Sequence, residues 1–599
     1  MRMELSPETQ LNKQFSFSYS SFNGSSHLPD GSSDFTCDLI KNHDLSHLKD
    51  IPLKQLASGS QSDLKETDEG CSCQDSVIHI YTASITFAIG VTIALILHIY
   101  LGVSLVFLKG VVGSDHERCT SLGQTVLRDR GSSVDAAIAA ALCLGVVHPH
   151  LSGVGGGGVM LVHDIHRNET RAGLKVGVPG LLRGLHHAHS LYGSLSWEDV
   201  VTRAAAVAND GFNVSLSLAE AISKVKGEPL SQRFRDMFLP GDQALLPGSF
   251  LRMSNLAGVL EAGLSNFYDG NFSREMEDEV RTNGGVLSRD DISNYSVQVE
   301  QPVEGLYNEF IIQVPPPPSA GAALILALNL LEGLQLNKNN NTKNQTHHWI
   351  AEALKGALAI ASGLGDPSYN SSVIELLSDM LSLSQAEVFH QWVTSSHSSP
   401  PEYSSDGHSL RPALMAGQVV VMGPDELIVS IASSLSTPFG SRIITGSGVI
   451  LNSLVLDFSW PNKTPGQRLT NQNNRVQPGK RPQTSLMPTI VLPAWRKCGI
   501  HMALSSSGGQ QSLSESTQVL ISALSFHKDK NESLSLRRLH PDDQPNGHLV
   551  DPELPEERLP LERVVTRVRT NSVVQGILRN KDTITAITPQ LSDSSLQFL

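Results

Sequence analysis

The sequence predicts a mixed α/β fold preceded by one transmembrane helix and a disordered tail, and three observations predict it. From Arg118 onward, helical patterns alternate with short strand patterns. Before that, no Asp, Glu, Lys or Arg stands between Asp75 and Lys109, and the apolar run from Ile80 to Leu108 exceeds the ~20 residues a helix needs to cross a bilayer. Residues 1–76 are rich in Ser, Asp and Gly and offer few large apolar groups to bury. The expected organisation is a cytosolic tail over 1–76, a membrane signal-anchor helix over 77–108, and an ectodomain from 109 to 599.

The 599 residues carry 45 basic and 59 acidic side chains, a formal charge of −14. That balance lacks the basic footprint of phosphate neutralisation, which argues against a nucleic-acid partner. Aromatic residues are only 5% while Gly, Ala, Leu and Ser abound, which favours close-packed helices and tight turns. Six cysteines are too few for a disulfide-stapled mini-protein, and the Cys71-x-Cys73 pair has no second ligand pair at zinc spacing. His186, His187 and His189 share a helical stretch without an acidic partner at the right interval, so no metal site is expected.

Flanking charge does not orient the anchor, because Lys65 stands on one side and Lys109 and Arg118 on the other. Sequons do: Asn168, Asn213, Asn271, Asn294, Asn340, Asn344, Asn370, Asn462 and Asn531 begin N-x-S/T triplets beyond the helix, and Asn23 alone precedes it. A lumenal or extracellular, N-glycosylated C-terminal side is expected. Cys71 and Cys73 then face the cytosol beside the bilayer, as palmitoylation sites or as inert thiols.

Within the ectodomain, Cys119 to Arg128 reads as a helix stopped by Gly131. Ser132 or Ser133 caps a second, Ala-rich helix from Val134 to Val147. The glycine run from Gly153 to Gly158 feeds a short strand; no Gly-Lys-Ser/Thr follows, so close backbone packing is the reading rather than a phosphate cradle. Pro315 to Pro318 precede a helix from Ala320 to Leu334, and another runs from His348 to Ser362. Residues 395–412 read as an exposed linker. Gln418 to Met422, Leu427 to Leu435, and Ile490 to Leu492 read as buried strands.

The segments 132–158, 176–189, 314–325, 438–461, 478–492 and 506–511 resemble the successive signatures of the γ-glutamyltransferases, or glutathione hydrolases. The resemblance covers residues 110 to 599. It implies an N-terminal-nucleophile hydrolase fold, a four-layer αββα sandwich, divided into a large-subunit-like part over 109–415 and a small-subunit-like part over 416–599. It implies cleavage of the γ-glutamyl bond of glutathione and related compounds, with transfer to water or an acceptor amine, and no cofactor. A threonine hydroxyl does this work twice in the family: it cuts the chain before itself, and the freed amine then serves as its base. Carried over by motif, Gly508 and Gly509 stand at the oxyanion hole, Ser434, Ser436, Asp457, Thr484 and Ser485 at the substrate-binding positions, and Cys119 with Cys143 at an oxidised pair.

The departures fall on the reacting group. Counting back from Pro438-Phe439-Gly440-Ser441, the nucleophile position falls on Ala416, and no threonine stands between Thr394 and Thr437. The position of an ammonium-gripping acid falls on Leu454. Only His166 to Lys175 bridge the strand after the glycine run and Val176-Gly-Val-Pro-Gly, so the family's carboxylate-binding arginine has no counterpart, and Arg171 has the wrong context. A splice form or real loss of that half of the site would each account for the shortened bridge. Two functions are expected in competition: a degenerate, non-catalytic member acting by binding, with a protein partner through the ectodomain left open, and an active hydrolase using a non-standard nucleophile.

Overall fold

The computed structural model describes residues 84–92, 110–164, 169–173, 178–332, 343–382, 386–388, 391, 415–459, 471–495, 499–507, 509–525, 539–541, 548–550, 565–567, 573–580, 583–587 and 595–598. The chain divides into two compact units, Met1–Ile93 and Ala94–Leu599. In the first, residues 84–92 are helical with exposed side chains. Among the described residues no helix is long and apolar enough to cross a membrane. The remainder of the expected 77–108 span lies outside the described residues, as do the 1–76 tail and the 395–412 linker.

The second unit is built on strands β1 (Val111–Ser114), β2 (Gly157–Asp164), β3 (Glu169–Gly173), β4 (Phe212–Asn213), β5 (Phe250–Leu251), β6 (Val299–Glu300), β7 (Val303–Tyr307), β8 (Phe310–Val314), β9 (Met415–Met422), β10 (Leu427–Ser436), β11 (Thr489–Pro493), β12 (Ile500–Ser507), β13 (Leu539–Pro541), β14 (His548–Val550), β15 (Val565–Arg567), β16 (Val573–Asn580), β17 (Thr583–Ile587) and β18 (Ser595–Phe598). Two large sheets dominate. One has the order β18-β1-β9-β10-β2-β3-β6 and the other β17-β16-β12-β11-β8-β7. The expected parts 109–415 and 416–599 are therefore interleaved, with β9 and β10 lying between β1 and β2 in a single sheet.

Strand alternation explains the layering. Along β9, Val419 and Val421 join the cluster formed with the helices Glu117–Arg128, Ser133–Val147 and Trp197–Asp210, whereas Val420 and Met422 join Ile490, Leu492, Ala503 and Ile577 of the other sheet. Successive side chains point to opposite faces, so one face packs on helices and the other on the second sheet. The second sheet is covered in turn by the helices Ala322–Glu332, Lys343–Ala361 and Gln510–Ser525. Helix, sheet, sheet, helix is the resulting stack. With both faces covered, β9 and β10 show no strict polar alternation: Val419 to Met422 and Leu427 to Val429 are continuous apolar runs, and the serines of β10 are buried with them.

Local chemistry sets the helix ends. Ser132 accepts from Asp135 N while the Asp135 carboxylate accepts from Ser132 N, a reciprocal cap for the wholly buried Ser133–Val147 helix. The glycine run is a packing device. A Cβ at Gly155 would stand 2.0 Å from the Ile450 carbonyl oxygen, and one at Gly145 2.9 Å from Gly153 Cα. Cys119 and Cys143 are joined across the first two helices. Closing a loop of 24 residues stabilises by roughly 3 kcal/mol in the chain-entropy model.

Candidate functional site

The site forms at the starts of β9 and the loops that meet it. Residues 415–422 read Met-Ala-Gly-Gln-Val-Val-Val-Met and contain no hydroxyl or thiol. Ala416 shares the parity of Val420 and Met422, so its methyl faces the space between the sheets. It is fully buried there, in a small apolar cluster with Val159 of β2, Ala432 of β10 and Leu486. Thr484 and Ser485 precede that leucine directly. Thr484 N donates to Pro318 O, its carbonyl accepts from Ala320 N, and its Oγ1 accepts from Leu486 N, so the segment is a fixed turn.

Across β9, the partner strand turns polar. Ser434 Oγ donates to Met415 O at 2.6 Å and accepts from Ser436 N at 2.8 Å. Ser436 Oγ donates to Asp457 Oδ1 at 2.7 Å. The pairing of β9 and β10 shifts register between Ser433 and Ser436, and Ser436 sits at φ 77°. Positive φ is uncommon for a residue with a side chain, and the bulge it accompanies turns the Ser436 hydroxyl toward Asp457. Asp457 closes a short 3-10 turn, Leu454–Asp457, whose first residue is buried while Asp457 is half-buried. Leu454 therefore places a side chain without charge beside the remaining carboxylate. Asn474 Nδ2 donates to Asp457 O and ties the turn to the 471–485 loop.

The oxyanion positions lie at the end of β12. Gly509 has φ 64°, and its carbonyl accepts from the Ser512 amide and hydroxyl. Gly508 lies outside the described residues, as does Cys498. Arg171 lies on β3, opposite Val162 of β2. His186 and His189 pack their rings against Trp197, and His189 Nε2 stands 3.5 Å from Asp135 Oδ1, an acidic neighbour that helical spacing did not reveal. Among the described residues no group of three or more His, Cys, Asp or Glu could hold a metal.

Sequence reading missed a buried polar cluster beneath the site. Asp115 Oδ2 accepts from Gln418 N at 2.7 Å, and its Oδ1 lies 3.3 Å from Gln575 Nε2. Burial pushes the Asp115 carboxyl up to about 7 against the lowering effect of the Gln418 and Gln575 hydrogen bonds. On the other side, His116, His148 and His150 stack edge to face. Burial holds His148 well below the ordinary imidazole range, with His150 and His116 adding to it, and burial with the nearby Lys224 charge lowers His150 to about 3.

Comparison with known proteins bears on all of this. The family model described as gamma-glutamyltranspeptidase matches residues 119–172 and 166–596, two stretches that meet at the shortened bridge after β2. The human protein named glutathione hydrolase 7 is 45% identical over 590 residues, covering 90% of this chain and 88% of its own. The Bos taurus protein of the same name is 47% identical over 558 residues, covering 86% and 83%. Glutathione hydrolase 2 of Arabidopsis thaliana is 29% identical over 527 residues, covering 80% and 90%. Among solved structures, cephalosporin acylase from Bacillus halodurans superposes with a TM-score of 0.69 at 20% identity, over 82% of this chain and 95% of that one, and so shares its fold.

Proposed function

The chain belongs to the γ-glutamyltranspeptidase family, and from that premise we propose that it is a membrane-anchored member whose site binds without reacting. The observation that carries the reading is Ala416: a fully buried methyl, packed with Val159, Ala432 and Leu486, where a nucleophile would have to stand. A methyl group has neither a lone pair to attack a carbonyl nor a proton to pass on. Removing a nucleophile costs several orders of magnitude in rate even where the oxyanion donors survive. Ser434, Ser436, Asp457, Thr484, Ser485 and Gly509 remain as binding and packing groups. The ligand would be glutathione or another γ-glutamyl compound, held more weakly because Leu454 offers no charge to its ammonium.

The proposed topology is single-pass, with a cytosolic N-terminus, the 77–108 segment in the bilayer and a lumenal or extracellular ectodomain. Its support is the sequon distribution, the exposure of Asn213, Asn271, Asn294 and Asn370, and the Cys119 to Cys143 disulfide, which belongs to oxidising compartments.

A second reading, an active glutathione hydrolase with another nucleophile, is favoured by the names of the relatives and by the Ser436 to Asp457 hydrogen bond. Turnover of a γ-glutamyl anilide by the purified full chain separates the two. The binding reading expects release at the level of a heat-killed control. Release well above it, abolished in Ser436→Ala, would establish the hydrolase instead.

A further inference from the structure

The topology of the two sheets gathers one edge around the point where the second unit's fold begins. Gly110 precedes β1, and a Cβ there would meet Leu127 Cδ1 at 2.8 Å and Pro424 Cδ at 3.0 Å. Val111 pairs with Met422 at the end of β9 and with Phe598 at the end of β18. The β9 to β10 turn, the end of the Glu117–Arg128 helix and the start of the ectodomain chain therefore lie together. The second sheet contributes to the same edge. His501 at the start of β12 pairs with Arg579 of β16, and the Glu426 charge from the β9 to β10 turn acts on its imidazole. Because β11 runs antiparallel to β12, with Val491 opposite Met502, the chain leaves β11 at this edge too. Ala494 N is fixed there by Glu309 O, and the next side chain, Trp495, is 81% exposed. Arg128 and Arg130 are exposed at the helix end and make no ion pair among the described residues.

Exposure alone demands no cover, but an indole this open gains free energy wherever an interface can take up its apolar body. The sequence names the covering. Its apolar run ends at Leu108, so Lys109 and Gly110 alone separate it from Val111, three residue steps and a reach of at most ~11 Å. The headgroup layer is itself about 5–7 Å deep. Tryptophan concentrates at that depth, where its ring is buried and its N–H stays hydrated, and arginine suits lipid phosphates.

We propose that this edge rests on the bilayer, with Trp495 seated among the lipid headgroups and Arg128 and Arg130 against their phosphates. The inference rests on the anchor reading of residues 77–108 and adds to it a fixed orientation. Ala416 stands six residues along β9 from Met422, so at ~3.3 Å per residue the candidate site lies up to ~20 Å from this edge.

The apolar run from Ile80 to Leu108 contains no tryptophan, so indole emission reports on the ectodomain. The full chain is reconstituted into phosphatidylcholine vesicles with and without phosphatidylcholine brominated near the carbonyl end of its acyl chains. Brominated lipid should quench one tryptophan's share of the emission from the five present, and Trp495→Phe should remove that quenching. Absence of quenching in the unaltered chain, or equal quenching in Trp495→Phe, overturns the orientation. Alkaline carbonate extraction of the same vesicles separates the two layers of the argument. Retention without Trp495 quenching overturns the edge and leaves the anchor standing, whereas release of the chain overturns both.

Discussion

Asp457 and Ala416 are joined through Ser436, Ser434 and Met415 in one short chain of contacts, yet their surroundings differ in kind. Around Asp457 there are hydroxyls, a strained serine and a half-buried carboxylate. Around Ala416 there are three apolar side chains and no water-accessible surface. A reacting site needs its attacking group and its binding groups preorganised together. Here the Asp457 half keeps a connected set of polar groups, with Ser436 Oγ on Asp457 Oδ1 and Ser434 Oγ on Met415 O, whereas the Ala416 half is packed as apolar core. The lesson is that one strand pair can hold a polar cluster and a wholly apolar one within a few residues of each other, and the proposed loss of reactivity rests on the apolar one.

Substitutions at the two halves should diverge. Ala416→Glu places an uncompensated charge in the Val159, Ala432 and Leu486 cluster and should lower stability by ~3–5 kcal/mol, read as a large fall in the denaturation midpoint. A variant that folds as well as the parent would show that the floor is open to solvent. Ala416→Thr restores a hydroxyl, but Leu454 and the shortened bridge still leave the ends of a glutamyl group unmatched. Its γ-glutamyl anilide turnover should stay at background; rates in the range of an ordinary hydrolase would mean that one atom group separates this site from activity.

Acidity probes the layer beneath the floor. Asp115 has a folded value near 7 against an ordinary 3.8, so the native state binds its proton more tightly. Its contribution is largest below 3.8 and is lost as pH rises through about 7, at up to ~1.4 kcal/mol per pH unit. His148 and His150 act oppositely. Their folded values lie below 6.5, so stability is lost as pH falls from 6.5 toward about 3. Denaturation midpoints across pH 4–7 should therefore fall more steeply on acidification in Asp115→Asn than in the parent, and less steeply in His150→Phe. Identical slopes in all three would remove these groups from the account. At the polar half the effect is smaller. Ser436→Ala loses one hydrogen bond to Asp457 and should cost ~1 kcal/mol, and a loss comparable to that of Ala416→Glu would erase the contrast between the halves.

Much of this was legible in the sequence, and the parts that were not share a cause. The serine cap, left between Ser132 and Ser133 and placed by the structure at Ser132, the two buried strands after residue 414 and the glycine turn are local patterns that the residues themselves announce. Motif order brought Ser434, Ser436 and Asp457 to one site, which periodicity alone would not have done. Several boundaries moved: β9 begins at Met415 rather than Gln418, because Met415 and Gly417 pair across the sheet with Ser436 and Ser433 despite their weak local strand preference; the helix expected at His348 begins at Lys343, and the one expected from Ala320 to Leu334 is Ala322–Glu332. The Asp115 cluster was invisible because its partners lie 303 and 460 residues away. The Leu486 contact with Ala416 depends in the same way on how two sheets face each other, which no local pattern encodes.

The most direct test of the central claim is the intact mass of the purified full chain after removal of N-glycans, together with its N-terminal sequence under denaturing conditions. A floor without a nucleophile predicts one polypeptide of the full encoded mass, with a single N-terminus. Two fragments, the second beginning at Met415, Ala416 or Gly417, would contradict it, because such a cut requires a reacting group where the structure holds a buried methyl.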